Sequence, residues 1–158
     1  MEQRIIKVLD QIAAAPDNND WSDKKWTFQI KTQIARIGKE QKYSVYASQA
    51  DNVDGGEWLY DLVWLDYKND ELINAYLLLE SEWWPKEIND DFEKLLLGKA
   101  ELKVMIFYAK DIKTFKEQVD KMKEKIKNFK HSISGEKYLF SAYVNETKSF
   151  LYDNHVVN

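Results

Sequence analysis

The apolar residues of the chain recur with two spacings, one typical of helices and the other typical of strands. Helical spacing marks a first segment that ends at Pro16, a second at residues 24–39 and a third at residues 89–99. A fourth helix follows Asp111, which is placed to cap it. The apolar residues of that helix repeat every three or four positions and are Ile112, Phe115, Val119, Met122, Ile126 and Phe129.

The predicted second helix has recognisable ends. Ser22 or Asp23 is positioned as its N-cap, because both side chains accept hydrogen bonds from the first turn of a helix. Gly38 stands where a helix commonly ends. Between these ends, the apolar stripe consists of Trp26, Ile30, Ile34 and Ile37.

Short apolar runs between and after the helices predict six strands. They lie at residues 43–48, 57–67, 73–83, 102–108, 137–144 and 148–156. Turn-forming residues at 51–56 and 68–71 predict hairpin connections between the first three strands, and the last two strands predict a C-terminal β-hairpin at about 137–156. We therefore expect one domain over residues 1–158, of α/β class, with a central mixed β-sheet flanked by helices.

Two of the predicted strands carry acidic residues beside apolar runs. Asp61 precedes Leu62 in the second strand, and Glu80 and Glu82 follow the leucines at 77–79 in the third. Side chains alternate along a strand, so Glu80 and Glu82 face the same side, about 6.6 Å apart. A buried ionised carboxylate costs several kcal/mol unless it is paired or metal-bound. If the two strands are neighbours, these three carboxylates can converge on one hard divalent cation.

This order of elements and acids resembles the PD-(D/E)XK nuclease superfamily, which includes many restriction endonucleases and DNA-repair nucleases. The resemblance covers residues 24–130 and rests on an acid in the second strand and an acidic pair ending the third. Asp61 would match the first motif acid and Glu80 the second. The third motif position is usually lysine and is Glu82 here, although some members carry an acid there. In some members the lysine lies on the following helix, which makes Lys94 the candidate replacement.

The resemblance implies a restriction-endonuclease-like fold and metal-dependent hydrolysis of nucleic-acid phosphodiesters by an endonuclease or exonuclease. Asp61, Glu80 and Glu82 would bind Mg²⁺ or Mn²⁺, ions that prefer oxygen ligands. Lys94 would stabilise the negative charge of the transition state. Glu82 would ligate a second ion or hold the attacking water. Because Glu82 replaces the usual lysine, either an active nuclease or an inactive relative is expected.

The acids and Lys94 also have explanations that involve no chemistry. Asp61 would face solvent on a sheet that is covered on one side only. Glu80 and Glu82 would mark the point where a strand leaves the core. Lys94 would be a solvated residue on an amphipathic helix.

The lysines of the fourth helix and the tryptophan pair are compatible with nucleic-acid binding, but a solvated surface and core packing explain them better. The lysines between residues 113 and 130 are interleaved with acids, which indicates a solvated charged face rather than a phosphate-binding strip. Trp83 and Trp84 are able to stack a base, yet tryptophan is abundant in the chain, so core packing explains most of these rings.

The composition excludes several classes of site. The 158 residues include no cysteine and only two histidines, His131 and His155, so a disulfide framework, a thiolate site and a multi-histidine zinc site are not expected. Hydrophobic residues make up 44% of the chain, which indicates a packed core. The start lacks a signal-peptide pattern and no apolar run spans a bilayer, so we expect a soluble cytoplasmic protein without membrane contact.

The net charge of −4 keeps a second function class open. Nucleic-acid-binding surfaces are usually basic, whereas this chain has a sequence pI near 5.3. The alternative is a non-catalytic acidic protein-interaction module, such as an immunity or antitoxin-type protein, whose tryptophans and tyrosines anchor an interface. Geometry separates the classes: acids that converge on one ion favour the nuclease, and splayed exposed acids favour the module. The sequence leaves the oligomeric state open.

Overall fold

A mixed sheet of six strands runs through the protein in the order β1-β2-β3-β4-β5-β6. The computed structural model describes all residues from Met1 to Asn158. The strands are β1 (Ser44–Ala47), β2 (Leu62–Lys68), β3 (Glu71–Glu82), β4 (Leu102–Ala109), β5 (Lys137–Val144) and β6 (Ser149–Val156). Antiparallel pairing joins β1, β2 and β3, parallel pairing joins β3, β4 and β5, and β6 returns antiparallel to β5. The predicted C-terminal hairpin is therefore part of the central sheet.

Four α-helices cover the two faces of this sheet. They are α1 (Glu2–Ala13), α2 (Asp23–Glu40), α3 (Ile88–Leu97) and α4 (Ile112–Asn128). The apolar residues of α1 and α2 pack in one core on the first face, and those of α3 and α4 pack in a second core on the other. The expected α/β class with a helix-flanked mixed sheet is confirmed. None of the helices is both long enough and apolar enough to cross a membrane.

The apolar runs of the central strands are buried on both sides of the sheet. In β3, Leu77 and Leu79 enter the core beneath α1 and α2, whereas Leu78 enters the core beneath α3 and α4. Val104 and Met105 of β4 divide in the same way. Burial stabilises by about 25 cal/mol per Å² of apolar surface, so a continuous apolar run is satisfied only by a sheet covered on both faces.

The helix N-caps agree with the sequence. The Ser22 hydroxyl accepts a hydrogen bond of 3.3 Å from the amide of Lys25 at the start of α2. The Asp111 carboxylate accepts one of 2.7 Å from the amide of Thr114 at the start of α4. Both predicted caps are confirmed, with Ser22 rather than Asp23 in this role at α2.

The second strand begins later than the sequence suggested. We predicted a strand from residue 57, whereas β2 starts at Leu62. Leu59 has a φ of 67°, and an isolated bridge joins Trp58 to Tyr60, so the chain bends sharply before the strand. Left-handed backbone is incompatible with a regular ladder. Asp61 therefore lies immediately before β2 rather than within it.

Only one of the two predicted hairpin turns is a tight one. Asn69 and Asp70 connect β2 to β3, and their φ values of 52° and 65° suit a two-residue turn between twisted strands. The residues at 51–56 instead belong to a long irregular connection between β1 and β2. The predicted hairpin connection is nevertheless confirmed, because β1 and β2 are neighbours and pair antiparallel, although the loop between them is much longer than a two-residue turn.

Gly38 lies inside helix α2 rather than at its end, and its close contacts there lead to a prediction about stability. Helix α2 continues to Glu40, and a Cβ at Gly38 would lie 2.6 Å from Nε1 of Trp64 and 2.8 Å from Cγ2 of Val45. Glycine to alanine normally stabilises a helix by about 1 kcal/mol. Here Gly38→Ala is expected to lower the free energy of unfolding by about 1–3 kcal/mol, because both neighbours are buried. Urea denaturation measures the change.

A glycine in open space is the control for the added methyl group. Gly56, in the loop between β1 and β2, has no heavy atom within 4 Å of the Cβ that alanine would add, so Gly56→Ala should change stability little. A Gly38→Ala protein more stable than wild type would contradict the close contact with Trp64.

Candidate functional site

The end of β3 brings four carboxyl groups and one exposed lysine together. The β2–β3 register pairs Leu62 with Leu79, so Asp61, one residue before Leu62, comes beside Glu80. Helix α3 follows β3 directly and carries Asp91 and Lys94 back to the same place. We call Asp61, Glu80, Glu82, Asp91 and Lys94 the acidic site.

Asp61 is fixed by contacts to the strand and to α2. Its Oδ2 accepts a 2.8 Å hydrogen bond from the amide of Ser81, and its Oδ1 lies 3.8 Å from Nζ of Lys31, a lysine only 3% exposed. Burial raises the pKa of Asp61 and outweighs the opposing effects of the Ser81 amide and Lys31. The side chain therefore does not simply face solvent, as one sequence interpretation had it.

Glu80 is the most deeply buried acid of the site, with 2% of its surface exposed. Nζ of Lys94 lies 3.6 Å from Oε1 of Glu80, too far for a hydrogen bond, and this oxygen has no hydrogen-bond partner. Burial, and then the negative charge of Asp61, raise the pKa of Glu80 to about 8. Near neutral pH the carboxyl group is consequently protonated unless a cation compensates its charge.

Glu82 lies on the same face of the sheet as Glu80, next to helix α3. Its Oε1 accepts a 2.6 Å hydrogen bond from the amide of Trp84. Burial, with a further contribution from the neighbouring carboxyl of Asp91, raises the pKa of Glu82 against that amide. Asp91 in turn lies 2.7 Å from Nζ of Lys94. Burial opposes the charge of Lys94, but Asp91 and Glu80 outweigh it and raise the pKa of the lysine.

The predicted residues are therefore brought together unequally. Asp61, Glu80 and Lys94 interact with one another, whereas the closest partners of Glu82 are Asp91 and the Trp84 amide. No group of three or more histidine, aspartate or glutamate side chains is arranged to hold a metal ion. Proteins nevertheless commonly bind Mg²⁺ through one or two carboxylates, with waters and substrate phosphates as the other ligands. The pair Asp61 and Glu80 places two carboxyl groups next to each other at the end of β3.

Sequence reasoning missed two members of this arrangement. Asp91 was not among the predicted site residues, although an acid one turn before Lys94 on the same helix was a visible signal. Lys31 was missed because lysine is rarely buried. Small residues at Ala35 and Gly38, one and two turns further along α2, indicate that this flank of the helix is buried.

Comparison with known proteins adds no relative. No family model matches the chain, no curated protein matches it, and no solved structure matches it. Evidence about function therefore comes from the side chains of the acidic site and from the order of the elements that carry them.

The pKa of Glu80 generates a prediction about stability. An unfolded glutamate loses its proton near pH 4.5, whereas folded Glu80 keeps it to about pH 8. Between these values the folded protein binds more protons than the unfolded chain, so stability falls as the pH rises through this window. Glu80→Gln removes the charge and keeps the shape. Without metal, it should match wild type near pH 4.5 and exceed it above pH 8 by about 1–4 kcal/mol.

Denaturant unfolding at pH 5 and pH 8.5 in the presence of a chelator measures this difference. Glu71→Gln, on the exposed start of the same strand, is the matched control and should leave the pH profile unchanged. Equal stability of wild type and Glu80→Gln at pH 8.5 would contradict the burial of an ionisable Glu80.

Proposed function

We propose that this protein is a metal-dependent nuclease that hydrolyses nucleic-acid phosphodiesters and belongs to the PD-(D/E)XK superfamily. The observation that carries the proposal is the buried Glu80 carboxyl, which has Asp61 beside it and the ammonium of Lys94 facing it at 3.6 Å. The element order supports it too, since α2 is followed by three antiparallel strands, a helix and a strand parallel to β3. Lys94 reaches the site from the helix expected to carry the displaced motif lysine.

The donor set fits Mg²⁺ or Mn²⁺. Glu80 presents a buried oxygen with no hydrogen-bond partner, and Asp61 presents a second carboxylate next to it. Carboxylate oxygens are the ligands these ions prefer. Four carboxyls against the two lysines Lys31 and Lys94 leave the region with excess negative charge when ionised, which a divalent cation would offset.

The chain's own residues have distinct parts in the proposed reaction. A bound ion would polarise a phosphoryl oxygen and lower the pKa of a coordinated water. Asp61 and Glu80 would hold that ion, and the buried Lys31 of α2 pairs with Asp61 and keeps it in position. Lys94 is paired with Asp91 but is 51% exposed, so its ammonium is accessible to a bound phosphate and would stabilise the charge that develops there. Glu82, whose pKa is raised, is suited to orient the attacking water and accept its proton.

The acidic interaction module receives less support from the same residues. A surface that neutralises a basic partner needs its carboxylates in reach of that partner, whereas Glu80 is almost completely buried. An inactive relative that still binds metal is the closer alternative, because Glu82 occupies the usual lysine position. Metal binding and cleavage are therefore tested separately.

Metal binding should be visible as stabilisation. At a Mn²⁺ concentration one hundred times Kd, we expect a gain of about 2.7 kcal/mol in the free energy of unfolding. At one fixed Mn²⁺ concentration, the gain in the free energy of unfolding should be larger at pH 8.5 than at pH 6, because a proton on Glu80 competes with the ion. Thermal unfolding with and without millimolar Mn²⁺ measures it, and Glu80→Gln should lose the gain while Glu71→Gln keeps it. An unchanged wild-type melting temperature would argue against a preformed site.

Cleavage should require a divalent metal ion and the carboxyl groups of both Asp61 and Glu80. Asp61→Asn and Glu80→Gln should nearly abolish hydrolysis, because each removes a metal ligand and its charge. Lys94→Ala should lower the rate about ten- to a thousand-fold, since one electrostatic contact is lost while the metal remains bound. Labelled single- and double-stranded DNA and RNA are the substrates.

Lys99→Ala, which changes an exposed lysine just beyond α3, is the control for Lys94→Ala and should keep full activity. Full activity in purified Glu80→Gln would place the chemistry elsewhere. Metal binding without cleavage of any of the four substrates would identify an inactive relative.

A further inference from the structure

A second concave region lies at the same end of the sheet as the acidic site, on the opposite face. Trp83 directly follows Glu82, and because side chains alternate, it points toward α2 rather than α3. There a cavity of about 170 Å³ is bordered by aromatic rings and polar groups. We call it the aromatic pocket, and its residues used in the argument are Trp21, Trp26, Trp83, Tyr143, Asn145 and Lys148.

The rings of the aromatic pocket are held in place by one another and by α2. The ring centre of Trp26 lies 4.6 Å from that of Tyr143 and 5.6 Å from that of Trp83. Nε1 of Trp83 donates a 3.0 Å hydrogen bond to the hydroxyl of Thr27. The walls are therefore preorganised aromatic surfaces, which cost a ligand little ordering.

One polar group in the aromatic pocket has no partner within the chain. Tyr143 is only 7% exposed, and its hydroxyl makes no hydrogen bond to another residue, in contrast to Nε1 of Trp83. Burial, and then the nearby Tyr108, raise the pKa of Tyr143, so the hydroxyl stays protonated and able to donate. The hydroxyl is not sealed from solvent, so it is available to donate a hydrogen bond to a ligand that enters the aromatic pocket.

The walls suit a flat, polar ring, and their two charged residues, Asp23 and Lys148, have opposite signs, so a phosphate would lie at the Lys148 side. An apolar cavity of about 150 Å³ accommodates benzene, so the aromatic pocket has room for a ring of similar width. Aromatic walls stack on any nucleobase. The amide of Asn145 and the ammonium of Lys148 lie together at the rim, with 2.7 Å between Oδ1 and Nζ, and provide a base-edge contact and a phosphate contact.

We propose that the aromatic pocket binds one unpaired nucleobase of the substrate together with its phosphate. The inference rests on the proposed nuclease function and names a subsite of it. Helix α2 connects the aromatic pocket with the acidic site, since Trp26 borders the pocket and Lys31 pairs with Asp61. Five residues of helix span about 7.5 Å, so a nucleotide in the pocket would lie next to one at the acidic site.

Tryptophan fluorescence tests this directly, because three of the rings report from the pocket itself. The full chain is titrated in a chelator with a nucleoside monophosphate, a trideoxynucleotide and a triribonucleotide, so that cleavage cannot occur. Saturable quenching is expected. Tyr143→Phe should weaken binding about three- to tenfold and Lys148→Gln about tenfold, since each loses one hydrogen bond or charge contact. Trp84→Phe, at an exposed ring outside the pocket, should bind as wild type does.

The outcomes separate this inference from the proposed function. No saturable quenching by any of the three probes, or binding unaffected by both Tyr143→Phe and Lys148→Gln, would overturn the subsite even if the protein cleaves nucleic acid. Pocket binding in a protein that cleaves nothing would leave the subsite standing and remove the nuclease. Equal affinity for the monophosphate and the trinucleotides would assign the pocket to a free nucleotide, and tighter trinucleotide binding would assign it to a strand. Unchanged melting temperature of Tyr143→Phe excludes a folding defect.

Discussion

The carboxyl of Glu80, held between the sheet and helix α3, imposes the main electrostatic constraint on this protein. An ionised group at 2% exposure is tolerated only with compensation, and the compensation comes from elements on both sides of β3. Lys94 faces Glu80 from α3, and Asp91 fixes Lys94 in turn. Because Asp61 adds negative charge rather than removing it, the lysine alone leaves the site under-compensated. Near neutral pH either a proton on Glu80 or a bound cation removes that imbalance, and the proposed function assigns this part to the cation.

The architecture allows this constraint because β3 is shared by two cores. Its side chains alternate between them, so one strand end delivers Glu80 and Glu82 to one face and Trp83 to the other. The Ser81 amide between them binds Asp61. Helix α2 supports both places, with Thr27 holding Trp83 and Lys31 holding Asp61. A change in the register of β3 would therefore disturb the acidic site and the aromatic pocket together.

The proposed function would require an acidic protein to bind a polyanion, which needs positive charge concentrated where that substrate arrives. The net charge of −4 is spread over the chain, while the exposed ammonium of Lys94 lies at the acidic site and that of Lys148 at the aromatic pocket. A divalent cation would add positive charge between carboxylates that otherwise repel phosphate. Weak general attraction and strong local contacts fit a nuclease that depends on metal for substrate binding as well as for chemistry.

The resemblance to a nuclease superfamily, rather than a local pattern, predicted Lys94 as a site residue, and its ammonium lies 3.6 Å from Glu80. Local patterns in the sequence were enough to predict the sheet class and helix N-caps at Ser22 or Asp23 and at Asp111. These features depend on short-range periodicity and on apolar runs that must be buried, both of which are visible in the residues themselves. The left-handed Leu59, the closely packed Gly38 and the buried Lys31 were decided by tertiary structure. Tertiary structure also decided the aromatic pocket, whose walls come from α2 and the segment before it, the residue after β3, the strands β4 and β5, and the turn after β5. Distant segments meet only through strand register and helix crossing, and neither is encoded in any single stretch of the chain.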